Sequence, residues 1–519
     1  MRRNPALLCL PLGALAALGF APLQLWPLTL AGLAGWLALV HAAPTWRAAA
    51  SRGWLFGLGH FTVNDNWIGH AFDFQDTMPH ALGYVAPVAL ALYLALFPTA
   101  AALIAWRWRG ARPDAAFALI AGAAWIATEW LRGWLFTGYP WDPLAVVWVP
   151  LFGIARLSAV VGTYALSGLT VTAAGTLLVL YEARRRGLSR ARLYACVAVA
   201  LVLLGVASVT GTSYYKPTDA GPRLVVVQPN INQNERGDDD AARVLAPLMR
   251  LSGASAPYPR LILWPEGVIR PYLEDGYPDY AYEGLDPALL RRRLARLLGP
   301  RDTLLAGGVS LAFGRDQQIT GAGNTVFAIG PDARLHGRYA KAHLVPYGEY
   351  LPLRSVLEPI GLSRLVPGDI DFDAGPGPRN IDVPGIGPVG VQICYEIVFS
   401  GRVVDPQQRP RLLFNPSNDA WFGRWGPPQH LAQARLRAIE EGLPIVRATP
   451  TGISAVIAAD GALLAIIPPG RAGALTVPLP QPLPPTLFSR LGNWLALVTA
   501  VLLAAGAVAI RRRARYARI

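Results

Sequence analysis

Charge is scarce in this sequence. Asp, Glu, Lys and Arg make up 15% of its 519 residues, against about 25% in a soluble globular protein. Hydrophobic residues reach 53%, with a mean hydropathy of +0.33. The deficit points away from a wholly water-soluble chain and toward membrane spans. Lysine is nearly missing: Lys216 and Lys341 stand alone among 47 basic residues. A position that keeps lysine in such a chain gains interest. There are three cysteines, and only Cys394 lies in polar sequence, since Cys9 and Cys196 fall inside apolar runs. No disulfide can therefore form within the polar part, and Cys394 is either an inert buried thiol or a reactive one. The seven histidines are scattered without a ligand-spaced pair, so no metal or organic cofactor is expected. No basic patch interleaved with aromatics occurs, which argues against a nucleic-acid partner.

Apolar sequence is what the chain has in abundance. Runs near or beyond the length that crosses about 30 Å of hydrocarbon lie at 5–21, 24–43, 53–71, 82–106, 115–136, 157–181, 191–212 and 488–510. The first follows Met1-Arg2-Arg3 like a signal peptide, but further runs follow at once, which favours a first transmembrane helix. The third is interrupted by Asn64, Asp65 and Asn66. An acid there is either functional at depth or sits at the interface. The net charge of +14 collects beside the spans, in Arg47 and Arg52, Arg107 to Arg112, Arg184 to Arg192 and Arg511 to Arg518. With a cytoplasmic N-terminus all of these face inward. The opposite loops hold Asp73, Asp76, Arg132, Asp142 and Arg156, so the asymmetry obeys the positive-inside rule. The expected organisation is a transmembrane region over 1–215, an extracytoplasmic domain over 220–480, and a final span with a basic tail over 486–519.

The polar segment reads differently. Leu224–Gln228, Leu261–Trp264, Leu304–Val309 and Val389–Ile393 are short apolar runs of buried-strand type. Residues 285–298 and 428–442 carry amphipathic helical patterns. Strands alternating with helices predict an α/β layered domain, and the proline-rich stretch Pro478–Pro485 is a natural linker to the last span.

Three local phrases carry chemistry. Trp264-Pro265-Glu266 puts a carboxylate at a strand end stiffened by proline, a suitable place for a general base. Lys341, in Tyr339-Ala340-Lys341-Ala342-His343, offers a compact cation for a developing oxyanion. Cys394, in Val391-Gln392-Ile393-Cys394-Tyr395-Glu396, follows an apolar strand as a nucleophile elbow does. Its thiol, with an ordinary pKa near 8.5, needs a neighbouring base or cation to react. Each phrase alone has a bland alternative: a surface glutamate, a leftover lysine, a structural cysteine.

Together, and in this order, they resemble the nitrilase (carbon–nitrogen hydrolase) superfamily. Gly323-Asn324-Thr325 and Asn415-Pro416-Ser417-Asn418-Asp419-Ala420-Trp421-Phe422-Gly423 add to the likeness. With about eight spans around such a domain, the chain resembles the apolipoprotein N-acyltransferases of bacterial inner membranes. The phrase Glu129-Trp130-Leu131-Arg132-Gly133-Trp134 through Tyr139-Pro140-Trp141 agrees with that family's periplasmic loop. The resemblance implies a membrane α-helical bundle plus an α/β nitrilase-like αββα sandwich facing the periplasm. It implies Cys394 as nucleophile, Glu266 as base and Lys341 as oxyanion stabiliser. Glu349, Tyr395 and Glu396 would support the active site, with Asn324, Trp421 and Tyr139 lining or supporting the lipid cleft. It implies acyl transfer from a phospholipid donor, phosphatidylethanolamine foremost, to an apolipoprotein acceptor in the bilayer, without cofactor. A membrane-tethered amidase or nitrilase using the same triad stands as the alternative. One departure is plain: Gln228-Pro229-Asn230-Ile231-Asn232-Gln233 is followed by Asn234-Glu235-Arg236, and the family's tryptophan there is absent. The exposed aromatics Trp134, Phe136, Tyr139 and Trp141 are expected at the membrane interface.

Overall fold

The computed structural model describes residues 5–74, 78–186, 221–232, 241–365 and 371–516. The expected span at 191–212 and the departure at 234–236 lie outside the described residues.

The apolar N-terminal sequence forms helices, because a backbone in hydrocarbon must satisfy its hydrogen bonds internally. These are α1 (Cys9–Ala17), α2 (Trp26–His41), α3 (Trp46–Asn64), α4 (Leu82–Leu94), α5 (Leu96–Arg107), α6 (Ala115–Arg132) and α7 (Thr163–Arg185). Among the described residues, Leu82–Arg107, Thr163–Arg185 and Trp494–Ala514 are long and apolar enough to cross a membrane. The first two apolar runs give shorter helices, Pro5–Ala17 and Trp26–His41. At 1.5 Å per residue the first reaches only about 20 Å.

Two expectations are corrected. The third run does not stay helical to 71. The helix is capped at its start by Thr45, whose side chain accepts from the Ala48 N–H at 3.3 Å, and it ends at Asn64. A 3-10 helix, Asn66–Phe74, follows. Asp65 is 1% exposed, so it lies inside the protein. The run at 157–181 is broken at Gly162, which takes φ +80°, and the long helix starts at Thr163. Backbone contact between α1 and α3 explains two glycines. A Cβ on Gly13 would sit 2.0 Å from the Phe56 carbonyl oxygen, and one on Gly59 2.1 Å from that of Leu10. Small residues permit such close crossings in membranes.

The polar segment forms two six-stranded sheets. One has the order β12-β1-β2-β3-β4-β5, the other β11-β10-β9-β8-β7-β6. The first sheet comprises β1 (Arg223–Gln228), β2 (Arg260–Leu263), β3 (Thr303–Phe313), β4 (Ile319–Ile329), β5 (Leu335–Ala340) and β12 (Gly473–Pro478). The second comprises β6 (Asn380–Val383), β7 (Gly387–Val391), β8 (Leu412–Pro416), β9 (Ile445–Ala448), β10 (Ser454–Ile457) and β11 (Leu463–Ile467). In each the central strands are parallel, β1-β2-β3 and β7-β8-β9, with antiparallel flanks. Leu224, Val226, Leu261 and Leu263 face Val389, Val391 and Leu412 across a common core. Helices α8 (Ala241–Leu251) and α9 (Pro287–Ala295) cover the outer face of the first sheet, with Leu245, Leu248 and Leu294 over Val225, Ile262 and Leu304. Helix α10 (Gly426–Glu441) covers the second. The result is the expected α–β–β–α sandwich.

Helix α10 is not a half-wet amphipathic helix. Leu431, Ala434 and Ala438 pack into the sheet core, while Ala432, Leu436 and Ile439 pack into the core of the membrane helices. Its polar side chains join the two bodies. Trp141 Nε1 donates to Gln429 Oε1 at 3.0 Å, and Gln429 Nε2 donates to the Asn64 carbonyl at 3.0 Å. The Asp142 and Thr163 N–H groups donate to Gln433 and Glu440 at 3.2 and 2.7 Å. Trp141 is thus 1% exposed, held in this wall and not at an interface. Finally α11 (Trp494–Tyr516) runs back along α6 and α7, with Ala496 on Ile126 and Tyr164 and Ala507 on Ile120. Arg511 pairs with Asp114, so the basic tail meets the basic loop at one end of the bundle.

Candidate active site

The carboxyl ends of β2, β5, β7 and β8 converge between the sheets, and each delivers one polar phrase. Past β2 the chain stays tied to β3: the Trp264 N–H donates to Leu305 at 2.9 Å, and the Gly307 N–H to Pro265 at 3.3 Å. Trp264 is fully buried, its Nε1 donating to Ser252 at 2.9 Å. The strand end is therefore rigid where Glu266 leaves it. Lys341 follows β5 directly, its N–H on the Asn324 carbonyl at 2.8 Å. Cys394 follows β7 with φ +51°, a left-handed conformation costly for a side-chain-bearing residue. Such strain at a strand-to-turn corner is what projects a nucleophile.

Lys341 is the centre of the polar cluster. Its Nζ lies 2.8 Å from Glu349 Oε2 and 3.9 Å from Glu266 Oε1, all nearly sealed from solvent. Asn324 Nδ2 donates to Glu266 Oε1 at 2.7 Å and to Glu349 Oε1 at 3.0 Å. The Asn418 N–H, from the turn after β8, donates to Glu266 Oε2 at 2.7 Å and also approaches the Cys394 thiol. One backbone amide therefore links the carboxylate and the sulfur.

The protonation pattern follows from this layout. Burial opposes charge on Lys341, but Glu349 and then Glu266 override it and hold its pKa above the ordinary value. Glu266 is pushed up, first by burial and also by Glu349, against the pull of Lys341, Asn324 and Asn418. Cys394 is pushed well up by burial and by the Glu266 charge. Glu349 thus takes the close ion pair, and Glu266 keeps a basicity suited to accepting a proton. The thiol stays protonated until something draws that proton away.

The other predicted residues divide. Asn324 and Glu349 belong to the cluster. Glu396 does not touch Lys341 but braces both strand ends. Its Oε1 accepts from Tyr339 Oη at 2.8 Å and from the Ala342 and His343 N–H groups at 2.7 and 3.0 Å. Its Oε2 accepts from the Ile393 N–H at 2.6 Å. Burial pushes its pKa up to about 7, while Lys341 and these donors favour the anion. Tyr395, Tyr139 and Trp421 lie apart from the cluster. Tyr395 donates to the Gly138 carbonyl at 3.3 Å and stacks near Trp141. Tyr139 lies against Asp65, and Trp421 packs edge-on to Phe74 at 5.3 Å. These three join the catalytic domain to the membrane half. Trp134 and Phe136 are 49% and 83% exposed, as expected of interface aromatics.

Sequence reasoning passed over a second set of residues. His430, on α10, and Asn415 both reach the Cys394 carbonyl, at 3.1 and 3.2 Å. Arg447 donates to His430 Nδ1 at 3.0 Å and to Asn415 Oδ1 at 2.8 Å, and it pairs with Asp419. With Nδ1 accepting, His430 donates through Nε2 to Cys394. Burial and Arg447 hold the His430 pKa down, to about 4, so the ring is neutral. A peptide is planar and trans, so holding the Cys394 carbonyl turns the Tyr395 N–H the opposite way. The only sequence signal for this clamp was the phrase from Asn415 to Gly423.

The N-terminal domain family of apolipoprotein N-acyltransferases matches residues 12–176, and the carbon–nitrogen hydrolase family matches residues 223–483. The chain is 35% identical to an apolipoprotein N-acyltransferase of Rhodopseudomonas palustris, covering 96% of this chain and 93% of the relative. It is 35% identical to one of Caulobacter vibrioides, covering 98% and 95%. A Saccharomyces cerevisiae structure, Nit3 of the nitrilase superfamily, aligns at TM-score 0.36 and 19% identity, over 50% of this chain and 89% of its own.

Proposed function

The chain belongs to the apolipoprotein N-acyltransferases, enzymes of the carbon–nitrogen hydrolase superfamily that acylate lipoproteins with a lipid-derived chain; from that premise we propose its substrates and the residues that act. The donor is a glycerophospholipid, phosphatidylethanolamine foremost. The acceptor is the free α-amine of a diacylglyceryl-cysteine at a lipoprotein N-terminus. The enzyme sits in the inner membrane with its sandwich domain in the periplasm, the orientation that the arginine-rich loops favour.

In the first half-reaction Glu266 takes the Cys394 proton as sulfur attacks the ester carbonyl. The oxyanion forms beside Lys341 and the Tyr395 N–H. Collapse breaks the ester C–O bond, and Glu266 returns the proton to the departing lysophospholipid oxygen. In the second, the amine attacks the acyl-Cys394 thioester. Glu266 receives the amine proton, the C–S bond breaks, and the proton passes to the thiolate. Amide and free thiol result, so protons balance.

The observation that carries this reading is the pairing of Lys341 with Glu349 at 2.8 Å, which leaves the more distant Glu266 available as base beside Cys394. Membrane helices suit such substrates, because each CH₂ of an acyl chain costs about 0.8 kcal/mol to expose to water. The test is intact mass of the purified protein after incubation with phosphatidylethanolamine. A hydroxylamine-labile acyl adduct on the native protein, absent from Cys394→Ala, is expected. No adduct on protein that still acylates a lipopeptide would overturn the thioester route.

A further inference from the structure

Beside the candidate active site lies an arginine that nothing in the proposed chemistry uses. Arg402 follows the turn that starts at Cys394. It is half-buried, and its Nη2 is buried with no hydrogen-bond partner. Among the described residues no carboxylate pairs with its guanidinium. It lies flat over the Trp134 ring, 3.1 Å from the centroid. Burial lowers its pKa, as it does for a cation held partly out of water. Buried polar groups are nearly always satisfied, so an unsatisfied one beside a candidate active site calls for a partner that arrives with the substrate.

His343 lies nearby. Its ring is neutral, since burial and then Arg402 hold its pKa down to about 4, and its other nitrogen bonds to the Thr137 backbone, which leaves the buried, unpartnered Nε2 as an acceptor. His343 also packs on Phe399 with ring centroids 3.9 Å apart, and lies 6.0 Å from Tyr395. It is two residues past Lys341, a separation that spans at most about 7 Å. Trp134 is 49% and Trp130 36% exposed, their rings 5.6 Å apart. Asn493, at the start of the C-terminal membrane helix, donates to the Ser400 carbonyl at 2.8 Å. The arginine therefore stands where the catalytic domain meets the membrane helices, beside exposed tryptophans.

We propose that Arg402 on its Trp134 platform binds the phosphodiester of the donor lipid, with His343 Nε2 left to accept from an N–H or O–H donor of the same headgroup. Guanidinium is suited to this task, since it matches phosphate geometry and stacks on aromatic faces. The contact places the phosphate at the seam and the acyl ester toward Cys394. It also gives the enzyme a reason to prefer phospholipids over neutral lipids. This deepens the acyl-thioester reading and rests on it.

The test uses the full-length protein in detergent micelles and follows acyl-Cys394 by intact mass. One donor is phosphatidylethanolamine; the other is a p-nitrophenyl acyl ester, which has no phosphate. Arg402→Ala should lower the rate constant for acylation by subsaturating phosphatidylethanolamine about ten- to a hundred-fold, the worth of a lost charge-assisted hydrogen bond. Acylation by the phosphate-free ester should change less than two-fold, and Arg402→Lys should recover part of the loss. An ether-linked phosphatidylethanolamine, which cannot donate, should compete in the native protein and not in Arg402→Ala. Equal loss with both donors would make Arg402 structural and overturn the assignment. So would unchanged acylation by the phospholipid, or a defect confined to transfer onto a lipopeptide amine. Failure of the native protein to form an adduct from either donor would instead sink the thioester reading itself.

Discussion

Replacing Glu349 by Gln changes one atom and tests the division of labour between the two glutamates. In the native site Glu349 Oε2 accepts from Lys341 Nζ at 2.8 Å and from the Val345 N–H at 2.9 Å, while Oε1 accepts from Asn324 at 3.0 Å. Glutamine has one acceptor oxygen. If that oxygen keeps Lys341 and Val345, its NH₂ points at the Asn324 NH₂. Turning Asn324 over then puts its oxygen against Glu266. Either way one buried group is left unsatisfied, at about 1–3 kcal/mol. Lys341 also loses its close counter-charge and is drawn toward Glu266, 3.9 Å away. A mispositioned oxyanion donor and a weaker base predict an acylation plateau lowered about ten- to a hundred-fold. The pH dependence carries a sign. Glu266 works deprotonated, so the rate climbs as pH rises through its pKa. That pKa is raised by burial and further by Glu349. Removing the Glu349 charge and bringing Lys341 nearer both lower it, so the acid limb must move to lower pH. The assay is a single-turnover time course of acyl-Cys394 across pH, read by intact mass. A limb that moves to higher pH, or an unchanged plateau, would refute the argument.

Other substitutions probe the parts that hold the site. A Cβ on Gly307 would lie 2.6 Å from the Pro265 oxygen and 2.8 Å from the Glu266 Cα; Gly307→Ala should therefore displace the base and slow acylation at least ten-fold, and a normal rate would show that the strand end yields freely. His430→Ala removes a donor from the Cys394 carbonyl and should slow acylation more than it raises KM, with partial recovery in His430→Gln, whose amide can still donate; equal behaviour of the two variants would count against the clamp. Arg447→Met leaves Asp419 buried without its partner and should destabilise the catalytic domain by about 3–5 kcal/mol, read as a lowered thermal midpoint. Because Arg447 holds the Asp419 carboxylate below its usual range despite burial, the native pair adds stability above pH 4 that is lost as pH falls through the Asp419 pKa, and that acid-side loss should vanish in the variant.

Much of the sandwich was legible because parallel strands buried on both faces read as unbroken apolar runs. Leu224–Gln228 and Leu261–Trp264 fall within a residue of β1 and β2. The candidate site was legible for a related reason: Glu266, Lys341 and Cys394 each follow shortly after a strand, so each sits in its own recognisable phrase. What stayed hidden depends on contacts between distant segments. The periodicity of 428–442 shows one apolar face and cannot reveal that the other face meets membrane helices. Trp141 looks like an interface aromatic until its partner Gln429, far along the chain, is in place. His430 stays hidden for the same reason, since nothing local predicts that its ring reaches the Cys394 carbonyl. The arginine at 402 is one among many in sequence. Only the fold leaves it without a carboxylate among the described residues.

The hidden contacts have a common function. An enzyme that takes both substrates from a bilayer must keep its nucleophile at a fixed height relative to the lipid surface. A misplacement near 1 Å can cost about a hundred-fold in rate. A flexible tether between bundle and sandwich would not hold that height. Here the link is a buried helix whose two faces belong to two cores. Along it, Gln429 receives Trp141 from the membrane-side loop, and the next residue, His430, holds the Cys394 peptide. One residue beyond Cys394, Tyr395 reaches back to Gly138 in the same loop. The strained corner at Cys394 is thus fixed from both sides by groups anchored to the membrane half. The polar content of α10, odd for so buried a helix, is then explained: directional hydrogen bonds set the register between the two bodies, which apolar packing alone would leave free to slide.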